Sequence, residues 1–255
     1  MAAKTHDALV GNQFGPQASA YVASAVHAAG ADLDRIEALL RGAEEVRVLD
    51  LGCGGGHVSY RLAPHVREVV AYDLSAEMLA AVRDTAAERG LGNIVTQAGS
   101  VEAIPFPAAS FDVVVSRYSA HHWRDFAQGL REARRVLKAG GRAVFADAVA
   151  PGTPLLDTFL QSIELLRDPS HVRNYTLKEW RAALTAAGFE AGTVTEHRVP
   201  LDFTTWIARM RTPALHAEAI RSLQSRMAEE VTRHFDVRAD GSFTLDTMTM
   251  EAWPV

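Results

Sequence analysis

The stretch "VRVLDLGCGGGHVSYRLA", from Val46 to Ala63, limits the possible folds more than any other part of the chain. A β-branched run ends in an acid, passes through glycines at positions 52, 54 and 56, and enters a helix-forming segment. Glycine reaches left-handed backbone angles and carries no Cβ, so a turn of this kind brings bare main chain against a ligand. A strand, a glycine-rich turn and a helix in that order form the first unit of an open α/β sheet, whose ligands bind beyond the carboxyl ends of the strands.

The rest of the chain repeats the alternation. Short β-branched runs at Val46–Leu51, Glu68–Tyr72, Ile94–Gln97, Phe111–Ser116 and Arg142–Asp147 read as strands. Amphipathic segments at Val58–Leu62, Ala76–Arg89 and Asp125–Leu137 read as helices, the second capped by Ser75 and the third stopped by Gly140 and Gly141. This is the rhythm of βαβ units on a largely parallel sheet. After Ala150 it changes. Thr153–Leu166 and Leu177–Ala187 read as helices, Gly192–Pro200 as a strand, Thr204–Phe235 as mostly helical, and Ser242–Met250 as a closing strand. At 255 residues the chain suits one domain, with 1–45 as a helical cap, 46–150 as the ligand-binding core and 151–255 as later strands with a helical insertion.

Composition excludes several classes of partner. Lysine and arginine total 26 against 31 acids, a net charge of -5, and no basic run exceeds two residues, so nucleic acid is not expected. No apolar stretch approaches the roughly 18 residues of a membrane span, and the first residues lack a signal-peptide core. A cytoplasmic protein is expected, monomeric or homodimeric. Cys53 is the single cysteine, which excludes an intrachain disulfide and a cysteine cage for metal.

The glycine spacing bears on the ligand. A dinucleotide fingerprint, Gly-x-Gly-x-x-Gly counted from Gly52, would need its third glycine where His57 stands. The pattern acid-x-Gly-x-Gly-x-Gly, filled by Asp50, Gly52, Gly54 and Gly56, suits a smaller nucleoside. Asp73 follows Gly52 by 21 residues at the end of the second strand, where a carboxylate accepts from both hydroxyls of a ribose. The alternative for Asp73 is a surface acid at the start of the next helix.

Four segments in order, "VLDLGCGGG", "VVAYDLSAEML", "AGSVEAIPFPAASFDVVVSRYSAHHW" and "EARRVLKAGGRAVFAD", resemble the class I S-adenosylmethionine-dependent methyltransferases, most closely their UbiE/COQ5-like small-molecule branch. The likeness spans Val46 to Asp147 and implies a Rossmann-like α/β fold. Its sheet has seven mostly parallel strands in the order 3-2-1-4-5-7-6, strand 7 antiparallel, with helices on both faces. It also implies S-adenosylmethionine as cofactor, S-adenosylhomocysteine as product and a small-molecule methyl acceptor. Carried over by position, Gly52, Gly54 and Gly56 approach the methionine and ribose parts of the cofactor, Asp50 steers its ammonium group and Asp73 holds the ribose. Leu74 and Met78 match positions that pack on adenine, although a methionine at that spacing is as often plain core. Ser100 stands where the family commonly has an aspartate for the adenine amino group, with the Val101 amide beside it. Ser116 and Arg117 match the segment flanking the methionine moiety.

Two neighbouring histidines, His121 and His122, follow the fourth strand. No third ligand at metal-binding spacing accompanies them, so no metal is expected. One of them can be a packed or capping side chain. An imidazole can also take the proton that a phenol, enol or amine loses on methyl transfer, and this reading favours His122 over His121. "FGPQASAY" resembles a lid element in which Tyr21 folds over the cofactor and Phe14 anchors it; the alternative is a helix packed on the sheet edge. Trp206, Arg209 and Arg211 lie in the late helical region where such families contact substrate. The arginines can simply form a solvated face, but one turned inward would select an acidic acceptor. The expected activity is methyl transfer by in-line displacement to an oxygen, nitrogen or carbon of a small organic molecule. The competing readings are a non-catalytic S-adenosylmethionine-binding protein and a nicotinamide-dependent oxidoreductase, the latter disfavoured by His57.

Overall fold

The computed structural model describes residues 5–18 and 28–255. Strands β1 (Ala43–Leu51), β2 (Val66–Asp73), β3 (Ile94–Ala98), β4 (Phe111–Arg117), β5 (Leu137–Ala148), β6 (Phe189–Leu201) and β7 (Phe243–Pro254) form one sheet in the order β3-β2-β1-β4-β5-β7-β6. All pairs from β3 to β5 are parallel, while β7 runs antiparallel to both β5 and β6. The order and the direction of the last strand agree with the expectation from sequence.

The inner strands are apolar on both faces because helices cover both. Val48, Leu49 and Leu51 of β1 and Val114 and Val115 of β4 are fully buried. One face packs on α2 (Ala31–Leu40) and α3 (His57–Leu62), with Leu33, Ile36 and Leu62 meeting Val48, Val69 and Val144. The other carries α5 (Phe126–Val136) and α7 (Leu177–Ala186), where the Trp180 ring lies 4.7 Å from Phe126 and 5.5 Å from Phe145 between centroids. Helix α4 (Ala76–Glu88) flanks β2 and β3, and its N-cap is Ser75, whose hydroxyl accepts from Met78 N at 3.1 Å.

One detail of the sequence reading needs correction. Gly140 and Gly141 do not stop α5, which ends at Val136 as Leu137 turns directly into β5. The glycines lie inside β5 and absorb a slip in register, since Phe111 faces Leu137 but Val113 faces Arg142. A Cβ on Gly141 would come within 2.7 Å of Asp112 O, so the close strand contact requires glycine there. The region 204–235 is three helices, α8 (Phe203–Arg209), α9 (Ala214–Arg226) and α10 (Glu229–His234), with Arg211 at φ 50° in the first break. Together with α6 (Pro154–Arg167) they enclose a separate apolar cluster around Phe159, Trp206, Phe235 and Phe243. This cluster holds the late helices as a shelf over the carboxyl end of β5 and the amino end of β7. Among the described residues no helix is long and apolar enough to cross a membrane.

Candidate functional site

The carboxyl ends of β1, β2 and β5 each finish in or beside an acid, Asp50, Asp73 and Asp147, and the loops beyond them build two adjoining cavities. The glycine loop leaves β1 with Gly52 N and Cys53 N both donating to Tyr72 O, at 2.8 and 3.0 Å, which ties the turn to β2. Asp73 then fixes the loop from the other side: its Oδ2 accepts from Gly54 N at 2.9 Å and its Oδ1 from Ser75 N at 2.9 Å. Burial raises the Asp73 pKa above the ordinary carboxylate value, against the pull of these amides. Each oxygen keeps a further lone pair.

The three glycines have different reasons to be glycine. Gly54 has φ 49° and nothing within 4 Å of where a Cβ would stand, so it is the bare backbone facing the cavity. A Cβ on Gly52 would strike the Ser119 hydroxyl at 1.9 Å. Gly56, expected against the ligand, does not line the cavity; a Cβ there would meet the Tyr60 ring at 2.9 Å and Val82 at 3.0 Å, so its bareness serves loop-to-helix packing.

Asp50 is 1% exposed, and its Oδ2 accepts from Ser59 N at 3.0 Å and Ser59 Oγ at 2.6 Å. Burial pushes its pKa up to about 7; the Ser59 bonds oppose this and the Asp73 charge adds to it. The first cavity, about 150 Å³, is lined by Asp50, Gly52, Gly54, Asp73, Leu74, Met78, Ser100, Val101 and Arg117 among others. Nine of the eleven positions expected to face a cofactor therefore converge there. The exceptions are Gly56 and Ser116, which is 2% exposed within β4 and lines neither cavity. The Ser100 hydroxyl donates to the Glu102 carboxylate, and Glu102 also lines the cavity, so an acid stands close to where the family aspartate is missing. Helix α1 (His6–Phe14) lies across the opening, with His6 Nε2 2.8 Å from His122 O and Gln13 Nε2 donating to Met210 O at 2.8 Å. Tyr21 lies outside the described residues.

The second cavity, about 410 Å³, lies under the shelf of late helices and shares Phe14, Arg117, Tyr118 and His122 with the first. Trp206 and Arg209 line it, whereas Arg211 does not and instead donates to Pro16 O at 3.1 Å. Tyr118 sits at the junction with φ 51°, a left-handed backbone that a bulky residue seldom adopts outside functional turns. The Arg117 guanidinium is buried at the same junction, donating to Asp32 at 2.5 Å from Nε and 3.2 Å from Nη2.

The two histidines have different environments. His121 Nδ1 lies 2.5 Å from Asp147 Oδ1, while Asp147 Oδ2 accepts from Ala120 N at 2.9 Å. Burial alone would lower the His121 pKa, but the Asp147 carboxylate, with Glu164 and Asp168 beyond it, outweighs this and raises it. His122 Nδ1 donates to Ser170 O at 3.1 Å, and its ring stands 5.1 Å edge-on from Phe14. Burial, then the neighbouring His121 charge, depress the His122 pKa to about 4, so His122 is neutral at physiological pH. Its Nε2 lies 3.9 Å from Asp168 Oδ2, which for a neutral ring is a close approach and not an ion pair. Among the described residues no group of three or more His, Cys, Asp or Glu side chains has the arrangement of a metal site.

Asp147, Asp168, Asn174 and Tyr118 were not singled out from the sequence. Asp147 had a signal in its place at a strand's carboxyl end, matching Asp50 and Asp73. Asp168 and Asn174 lie in an irregular loop that carries no pattern.

Residues 49–145 match the family model described as methyltransferase domain, Methyltransf_11. The chain is 44% identical over 201 residues to the uncharacterized protein YafE of Escherichia coli (strain K12), covering 79% of this chain and 97% of that one. It is 36% identical over 222 residues to the uncharacterized methyltransferase YcgJ of Bacillus subtilis (strain 168), covering 87% and 88%. The crystal structure of YcgJ superposes with a TM-score of 0.83 at 34% identity over 87% of this chain and 97% of that one. Likeness to the demethylmenaquinone methyltransferase of Chlorobaculum parvum, 35% identical, extends over only 119 residues, 46% of this chain and 47% of that one.

Proposed function

This chain belongs to the class I S-adenosylmethionine-dependent methyltransferases, and we propose that it methylates a small organic molecule held in the second cavity. The observation that carries the reading is the shared wall: the glycine-loop cavity and the 410 Å³ cavity meet at Phe14, Arg117, Tyr118 and His122. A transferable methyl has to pass between two bound molecules, and only a common wall allows the in-line approach.

The residues of the first cavity fit the cofactor. Gly54 offers bare main chain, the free lone pairs of Asp73 suit a pair of ribose hydroxyls, and the buried Asp50 suits an ammonium. Leu74 and Met78 supply an apolar seat for adenine, with the Val101 amide at its edge and the Glu102 carboxylate close to Ser100. When bound, S-adenosylmethionine supplies a methyl group already activated by its sulfonium. What remains for the protein is positioning, exclusion of water and removal of a proton.

Helix α1, through His6 on His122 O, and the buried Arg117–Asp32 pair border the junction. His121 is the proposed base, the reverse of the preference from sequence. Its Nδ1 is held by Asp147, which leaves Nε2 to take a proton from the acceptor, and the carboxylate stabilises the imidazolium that results. His122 is too weakly basic to serve; with Nδ1 committed to Ser170 O, it orients the acceptor through the lone pair on Nε2.

The test is transfer of tritiated methyl from S-adenosylmethionine into cell extract sorted into small molecules, RNA and protein. Label in the small-molecule fraction is expected. Label confined to RNA or protein would overturn the acceptor class, and S-adenosylhomocysteine binding with no transfer anywhere would favour a non-catalytic binding protein.

A further inference from the structure

The loop between α6 and α7 places two polar side chains on the wall of the second cavity with atoms that no described residue satisfies. Asn174 is 1% exposed, yet neither its Oδ1 nor its Nδ2 has a hydrogen-bond partner among the described residues. Its main chain, by contrast, is pinned on both sides by Gln161, whose Oε1 accepts from Asn174 N at 3.1 Å and whose Nε2 donates to Asn174 O at 2.8 Å. Asp168 is also 1% exposed. Its Oδ1 accepts from Ser170 N at 2.8 Å and Ser170 Oγ at 2.6 Å, while Oδ2 has no hydrogen bond among the described residues. The loop is fastened to the tip of β4 by Val172 N and Arg173 N, which donate to His121 O at 2.8 and 3.2 Å.

Asparagine and aspartate in loops ordinarily bond to their own or neighbouring main chain, and buried polar atoms without partners are few in folded proteins. Here the main chain is held rigid by other groups and the three side-chain atoms are left over, all at residues lining one cavity beside the proposed base. The cationic groups on the same walls are already engaged: Arg117 by Asp32, Arg167 by Glu164 and Arg198 by Asp246. Arg209 is not free either. The charge left without a counterpart is the Asp168 carboxylate, which repels an anion.

We propose that Asn174 and Asp168 determine acceptor specificity, and that they select a head group without negative charge, bearing a hydroxyl or amino donor beside a carbonyl or similar acceptor. The donor meets Asp168 Oδ2 or Asn174 Oδ1, and the acceptor meets Asn174 Nδ2. Carboxylate and phosphate heads are rejected, contrary to the acidic acceptor that inward arginines alone would suggest. The proposal rests on the second cavity being the acceptor site.

The test uses the full chain and tritiated S-adenosylmethionine with the small-molecule fraction of cell extract, passed over an anion exchanger at neutral pH. Acceptor activity is expected in the flow-through; activity retained and released only by salt overturns the proposal. In a dilution series of the active fraction, Asn174→Leu and Asp168→Asn should each raise the half-saturating amount about tenfold or more, since a site built around polar groups discriminates through them. S-adenosylhomocysteine affinity should stay within about twofold. Asn174→Leu should leave the melting temperature unchanged or raised, because it replaces an unsatisfied polar side chain by an apolar one of similar size. Unchanged half-saturation in both variants overturns the proposal. Wild-type protein that binds S-adenosylhomocysteine but labels neither fraction refutes the small-molecule reading itself, and the proposal with it.

Discussion

The buried acid of the glycine loop makes cofactor binding depend on pH in a calculable way. Asp50 is closed off from water at the end of β1, and burial holds its pKa up to about 7 even with two hydrogen bonds from Ser59. In the proposed complex the ammonium of the cofactor supplies the missing counter-charge and returns the group toward an ordinary carboxylate. The free protein therefore holds the extra proton and must release it on binding, so affinity rises as pH rises through 7. With a pKa near 7, about one molecule in eleven has Asp50 ionised at pH 6, and about ten in eleven at pH 8. S-adenosylhomocysteine should then bind about tenfold more tightly at pH 8 than at pH 6, a difference of about 1.4 kcal/mol. Calorimetry in two buffers of different ionisation enthalpy measures both the affinity and the protons released, expected near one half per site at pH 7. Asp50→Asn should flatten the profile. An affinity that is level from pH 6 to 8 in the wild type, or that falls as pH rises, would refute the argument.

Further predictions address the ribose and the proton. Asp73→Ala removes two bonds to the loop and the proposed ribose contacts; S-adenosylhomocysteine affinity should fall by about 1 to 3 kcal/mol, and unchanged calorimetric affinity would mean that the ribose lies elsewhere. His121 must be neutral to act, and its pKa is raised, so the methyl-transfer rate should fall with decreasing pH through an inflection above the ordinary imidazole value of 6.5. Asp147→Asn, by removing the charge that outweighs burial, should carry that inflection below 6.5. His121→Ala should slow transfer by about 10²-fold or more with cofactor affinity preserved; an equal loss from His122→Ala and none from His121→Ala would reverse the assignment.

The cofactor half of the molecule was legible because its signals are local. A glycine turn, a strand-terminal acid and a β-branched run each have a physical cause within a few residues, and strand order followed from the resemblance those pieces carry. Gly56 and Ser116 do not line the cavities: Gly56 meets Tyr60 and Val82 instead, and alternation along β4 sends Arg117 to the cavity and the neighbouring Ser116 to the other face. Gly140 and Gly141 read as a helix stop because glycine punctuates helices and bulges alike. The acceptor half was harder to read. Asp168 and Asn174 come together with His122 only through the packing of α6, α7 and the β4 tip, contacts separated by about 50 residues in sequence, as in the bond from His122 to Ser170. Arg209 and Arg211 are chemically the same and two residues apart, yet the break after α8 sends one to the cavity wall and the other to Pro16.

A crystal structure with S-adenosylhomocysteine bound tests the central claim most directly, because it locates the reacting atom between the two cavities. The account predicts the ribose hydroxyls on Asp73, the ammonium beside Asp50, and the sulfur at the wall formed by Arg117, Tyr118 and His122, open toward His121. A ligand bound elsewhere, or in the glycine loop with its sulfur facing away from the second cavity, would contradict it.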